Sequence, residues 1–169
     1  MAVNATEKPR KIKLEEREKI YIKRVDNFLS QIQNWLPKEL EASRHECKLK
    51  YGSRPRYTVD SLSIKDPNNG DIIATLLPQG YVVLLAQGLI EFNGVYRDGN
   101  IFYLEKTKMF EGVDTAGWYS LQDPMLGNQA RLFDRELLLE KKLTVVAMRL
   151  LKPTLSNVLT KHKPLNSCH

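Results

Sequence analysis

Histidines, cysteines and carboxylates are the side chains of this sequence that could do chemistry, and their number and spacing limit what kind. Its 169 residues hold three histidines, His45, His162 and His169, and two cysteines, Cys47 and Cys168. No Cys-x-x-Cys or His-x-x-x-His spacing occurs, so a structural zinc site has no support. A Ser-His-Asp arrangement would have to use His45, yet no Gly-x-Ser-x-Gly elbow is present. The Gly-x-x-x-x-Gly-Lys phosphate loop is missing as well. His45 and Cys47 are neighbours in sequence, but a dyad needs geometry that spacing alone does not supply. The cysteines are far apart, and two free thiols are expected in a reducing compartment.

The carboxylates make the best enzymatic case, a metal-dependent nuclease. In such a site acidic groups hold Mg²⁺ and a lysine stabilises charge at phosphorus. Asp71, Glu91, Glu105, Lys106 and Lys108 supply these types from expected strand ends. The usual Glu-x-Lys spacing fails by one residue at Glu105-Lys106, and successive strand residues face opposite sides. Glu140-Lys141-Lys142 fits the letters but falls in a helical context. Asp66, Asn68 and Asp71 lack the spacing and closing glutamate of a calcium loop, and a hairpin explains them better. No catalytic residue, metal or cofactor is therefore assigned.

The cations are distributed more informatively than their total, a formal charge of +6. Lys8, Arg10, Lys11 and Lys13 form a basic arm. Arg44, Lys48, Lys50, Tyr51, Arg54 and Arg56 interleave charge with an aromatic ring, the composition of a single-stranded nucleic-acid groove. No RNP, KH or zinc-knuckle pattern accompanies them, and a solvated linker has the same composition.

These groups must be positioned by helices and strands, and the periodicities indicate which. Leu14 to Leu36 reads as an amphipathic helix, with Tyr21, Val25, Phe28, Ile32 and Trp35 spaced four, three, four and three apart. Ile22, Leu29 and Leu36 widen that seam, which suits a helix laid on its own sheet better than a two-stranded coiled coil. A dimer through the same five residues is the competing reading. Pro37 ends the helix, and Lys38 to Ala42 can continue as a second short one.

From Tyr57 to Thr107 short apolar runs alternate with turn chemistry. Tyr57–Ile64 and Ile72–Leu77 flank Asn69-Gly70, a hairpin signal. Tyr81–Ala86 is apolar on both faces and predicts a covered central strand. Leu89–Phe92 follows Gly88, and Asp98-Gly99 predicts a second tight turn between Val95-Tyr96 and Ile101–Leu104. About five strands are expected, a usual sheet size. Trp118–Leu121 predicts one more short strand. Asp134 can cap a helix carrying Glu136, although Thr144-Val145-Val146 could begin a strand instead.

The expected fold is α+β: an antiparallel β-meander packed against an amphipathic N-terminal helix and a C-terminal helix. One domain, 14–152, lies between a basic arm, 1–13, and a polar basic tail, 153–169. No apolar run reaches the roughly 18 residues of a membrane span, and the first residues lack a secretory h-region. The expected location is the cytosol, with no membrane partner. The leading reading is a small non-enzymatic adaptor that meets a protein partner, or its own copy, through helix one or the sheet. The alternatives are a nucleic-acid-binding protein using 44–56 and the nuclease above.

Overall fold

A computed structural model of the chain describes residues 13–94, 98–121 and 129–142, with backbone only for 140–142. The basic arm before Lys13, the Thr144–Val146 segment and the C-terminal tail with Cys168 lie outside the described residues.

Helix α1 spans Leu14–Trp35. Glu15 and Glu16 sit in its first turn, where carboxylates favour the positive end of the helix dipole. Tyr21, Val25, Phe28, Leu29 and Ile32 are buried. The chain then folds into strands β1 (Glu41–Leu49), β2 (Tyr57–Lys65), β3 (Ile72–Gly80), β4 (Leu89–Gly94), β5 (Asp98–Leu104), β6 (Gly117–Leu121) and β7 (Ala130–Leu132), and ends in helix α2 (Arg135–Lys142). The seven strands form one antiparallel sheet in sequence order, a pure meander. The α+β meander expected from the sequence is present.

Four details differ from expectation. The segment after Pro37 is strand β1 rather than a helix and linker, because Ala42, Cys47 and Leu49 pack against the core once β2 pairs with it. Tyr81–Ala86 is a loop, not a covered strand; its apolar side chains include some of the most exposed of the described residues. Asp98 and Gly99 are ladder residues of β5, opposite Asn93 and Phe92, and not the centre of a turn. The sheet also has seven strands where about five, and one more at Trp118–Leu121, were expected.

Two hydrogen-bonded features were legible in advance. In the β2–β3 turn Gly70 has φ +74° and its N–H donates to Asp66 O at 2.8 Å, while Asp66 Oδ1 accepts from Asn68 N at 2.9 Å. The Asp66 carboxylate is thus occupied by the turn. Asp134 Oδ1 accepts from Leu137 N at 2.8 Å, which caps α2.

The main core lies between α1 and one sheet face. Phe28 stacks on Trp118 at 5.1 Å and meets Phe133 edge-on at 5.6 Å, so α1 reaches from β2 across to the end of β7. Inward residues change phase along β2: Tyr57 and Val59 are buried, then Leu62 and Ile64, with Ser61 between them donating to His45 O at 3.0 Å. A smaller cluster, Leu104, Val113, Tyr119 and Ala130, is covered by the segment joining β5 to β6.

Candidate docking surface

In a meander every second connection emerges at the same end of the sheet. The segments 50–56, 81–88 and 105–116 therefore share one end, and Tyr21 and Glu15 place the first turns of α1 there too, against Gly80, Leu89 and Arg54.

The 81–88 segment is anchored at its base. The Tyr21 hydroxyl accepts from Gly80 N at 3.1 Å and donates to Leu89 O at 3.0 Å, joining the two stems. Gln87 N donates to Tyr103 O and Tyr103 N to Gly88 O, both at 2.9 Å. Arg24 lies 3.8 Å over the Tyr103 ring and donates to Gln87 Oε1 and Glu105 Oε1, each at 2.9 Å. Gly88 is the point of closest approach: a Cβ there would lie 3.1 Å from Trp118 Cη2 and from the Tyr21 ring. Tyr81 is buried and its ring centroid is 5.8–6.0 Å from those of Tyr21, Tyr51 and Tyr57. Burial raises the hydroxyl pKa of Tyr81 despite the nearby Arg54, and pushes that of Tyr57 up to about 12.

Above this base the tip is apolar. Ala86 N donates to Val83 O at 3.3 Å, which leaves Leu84 and Leu85 as the two central residues of a turn. Their exposures are 87% and 59%. Leu85 has φ +65°, a left-handed conformation that costs a β-carbon residue roughly 1–2 kcal/mol and that turns usually give to glycine. Val82 and Met109 are exposed as well, and a cleft of about 270 Å³ between the two loops is lined by Leu85, Lys106, Met109 and Phe110. Beside it, Arg17, Arg24, Tyr81, Val83 and Glu105 line a second cleft of about 410 Å³.

The basic residues selected from the sequence divide in two. Lys48, Lys50, Tyr51 and Arg56 are exposed at or next to this end. Arg54 lies there too, 3.4 Å from Glu15. Arg44 instead points at α1. It donates to Gln33 Oε1 at 2.9 Å, Ser30 Oγ at 2.7 Å, Asp60 Oδ2 at 3.3 Å and the Asp26 carboxylate, and the Asp26 hydrogen bond is the main reason its pKa is raised. Spacing does not separate Arg44 from its neighbours, because only the pairing of β1 with β2 brings Arg44 against the helix.

Tyr21, Val25, Phe28 and Ile32 are at most 2% exposed, covered by the chain's own sheet, and Trp35 packs beside them. The seam is occupied within one chain. The nuclease carboxylates are dispersed: Asp71 lies in the β2–β3 turn at the far end, Glu91 accepts from Gln79 Nε2 at 2.8 Å on β4, and Glu105 is held by Arg24 at the loop end. Among the described residues, no group of three His, Cys, Asp or Glu side chains is placed to hold a metal ion.

Neither the loop end nor the adjoining clefts were anticipated. The available signal was the glycine bracket, Gly80 and Gly88, around the apolar run. Comparison with family models, curated proteins and solved structures finds no match to this chain.

Proposed function

We propose that this protein is a small non-enzymatic binding protein that acts by docking its loop end onto a partner. The observation that supports this is the Leu84–Leu85 tip. Two leucines stand in solvent, one in a strained backbone conformation, on a stem fastened by Tyr21, Arg24 and the Tyr103 amide. Burial within the fold gives no reason for such a tip, whereas a partner that covers it does. The adaptor reading of the sequence puts the contact on helix one or the sheet. With that seam occupied, the contact belongs at the loop end.

The test is cross-linking from the native lysate with wild type and the double variant Leu84→Asp/Leu85→Asp. Because both side chains are exposed, the variant is expected to fold as wild type does and to lose the cross-linked species. Retention of every species by a folded variant refutes the loop as a protein contact. Sedimentation of the wild type alone checks whether the partner is a second copy.

Nucleic acid is the second reading, favoured by the exposed Lys48, Lys50, Tyr51 and Arg56. It requires affinity for a single-stranded oligonucleotide that falls steeply with salt and weakens in Lys50→Ala/Arg56→Ala.

A further inference from the structure

We infer that the surface this loop end docks onto is an anionic lipid bilayer, an inference that rests on the docking reading above. The argument begins with shape. Leu84 and Leu85 form a protruding tip rather than a groove, and Met109, 54% exposed, belongs to the neighbouring loop. Paired apolar loop tips enter the headgroup and acyl boundary without any spanning segment. A membrane contact of this kind is compatible with the absence, among the described residues, of a helix long and apolar enough to cross. The expectation of no membrane partner rests on span length and the missing h-region, neither of which bears on a surface contact.

Charge gives the second part. Lys106 lines the cleft beside Leu85 and Lys108 lies two residues further along the same loop; both are exposed and without an ion pair among the described residues. The one carboxylate lining the cleft between the loops, Glu105, is neutralised by Arg24 at 2.9 Å. Lys50 and Arg56, exposed on the adjacent loop, add charge that no ion pair among the described residues offsets. The acids further along the 105–116 loop are Glu111, which accepts from Gln129, and the exposed Asp114. Apolar residues at the tip with lysines around them match the profile of a bilayer whose interior is apolar and whose surface is negative.

The aliphatic tip also discriminates between polyanions. Nucleic acid offers phosphates to the lysines and stacking to Tyr51, but nothing to Leu84 or Leu85. A bilayer uses both sets of residues at once.

The experiment is flotation of the full-length protein with vesicles of phosphatidylcholine alone or with about 30 mol% phosphatidylserine, a composition that gives a strongly negative surface. Wild type is expected to float with the anionic vesicles and far less with the neutral ones. Leu84→Asp/Leu85→Asp is expected to lose roughly tenfold per leucine. Lys106→Gln/Lys108→Gln is expected to lose about fivefold per lysine on anionic vesicles. Ile72→Asp, an exposed position at the far end of the sheet, is expected to float like wild type. As a second readout, Leu84→Trp should show a blue-shifted emission on anionic vesicles only.

Wild type that stays in solution with both vesicle types overturns the bilayer. If the leucine variant still loses its lysate cross-links, the docking reading survives with a protein partner. Flotation that persists in the leucine variant overturns the inference by excluding the tip. Oligonucleotide binding by wild type, unchanged in the leucine variant and without flotation, overturns both readings in favour of the basic rim.

Discussion

Tyr21→Phe removes one oxygen atom and tests whether the loop end is held as the geometry implies. The ring remains, and with it the packing against Tyr81 at 6.0 Å. Two hydrogen bonds are lost, from Gly80 N at 3.1 Å and to Leu89 O at 3.0 Å. An ordinary hydrogen bond contributes about 1 kcal/mol net, and leaving a buried partner unsatisfied costs about 1–3 kcal/mol. These two partners are part-buried backbone groups at the stems of one loop, so an expected loss of about 2–3 kcal/mol is reasonable. For a chain of this size that lowers Tm by roughly 4–12 °C. The change should also be local. Gly80 N should exchange with solvent faster, and the 81–88 segment should be cleaved sooner by a protease, while the Phe28–Trp118 region keeps its protection. Denaturant unfolding supplies the magnitude and hydrogen exchange the location. Tyr51→Phe, at an exposed ring, is the control and should be neutral. A Tyr21→Phe protein with wild-type stability and wild-type exchange at Gly80 would show that the hydroxyl is not what joins the two stems.

Three further outcomes are expected. Arg44→Leu should cost about 1–2 kcal/mol in a denaturant midpoint, a figure kept low because Asp26 and Asp60 are partly in solvent, and Arg44→Lys should recover little of it. A lysine that restores full stability would show that the planar fork to Ser30, Gln33 and the carboxylates is unimportant. Leu85→Gly should stabilise the fold by roughly 0.5–1 kcal/mol, since relief of the left-handed leucine exceeds the entropy that glycine adds to the unfolded chain, while docking weakens; a destabilised variant would mean that Leu85 has a folded-state role. Tyr57 and Tyr21 keep raised pKa values in the fold because burial favours the neutral phenol. Unfolded phenols ionise near pH 10, so this contribution is intact below about pH 10 and is lost as pH rises through about 12 for Tyr57 and at still higher pH for Tyr21. Phenolate absorbance should rise in a late step together with loss of the near-ultraviolet circular dichroism of the core, and a single early step with the fold intact would contradict the burial argument.

The parts of this protein that the sequence determined are those governed by local chemistry. The α1 stripe is set by helical spacing, its C-terminal limit by Pro37, the β2–β3 turn by Asn69-Gly70, and the start of α2 by the Asp134 side chain. Each depends on residues within a few positions of one another, so the spacing alone carries the information. The remaining features depend on which segments meet. Strand β1 looks like a basic linker until β2 pairs with it and α1 supplies acceptors for Arg44. Tyr81–Ala86 has the composition of a buried strand, but whether an apolar run lies inside or outside depends on what covers it. Here Tyr21, 59 residues before Gly80, fastens the stems and leaves Leu84 and Leu85 in water. The candidate surface is likewise assembled from three connections that a meander brings to one end of the sheet. Exposure and proximity are properties of the assembled fold, and no local periodicity encodes them.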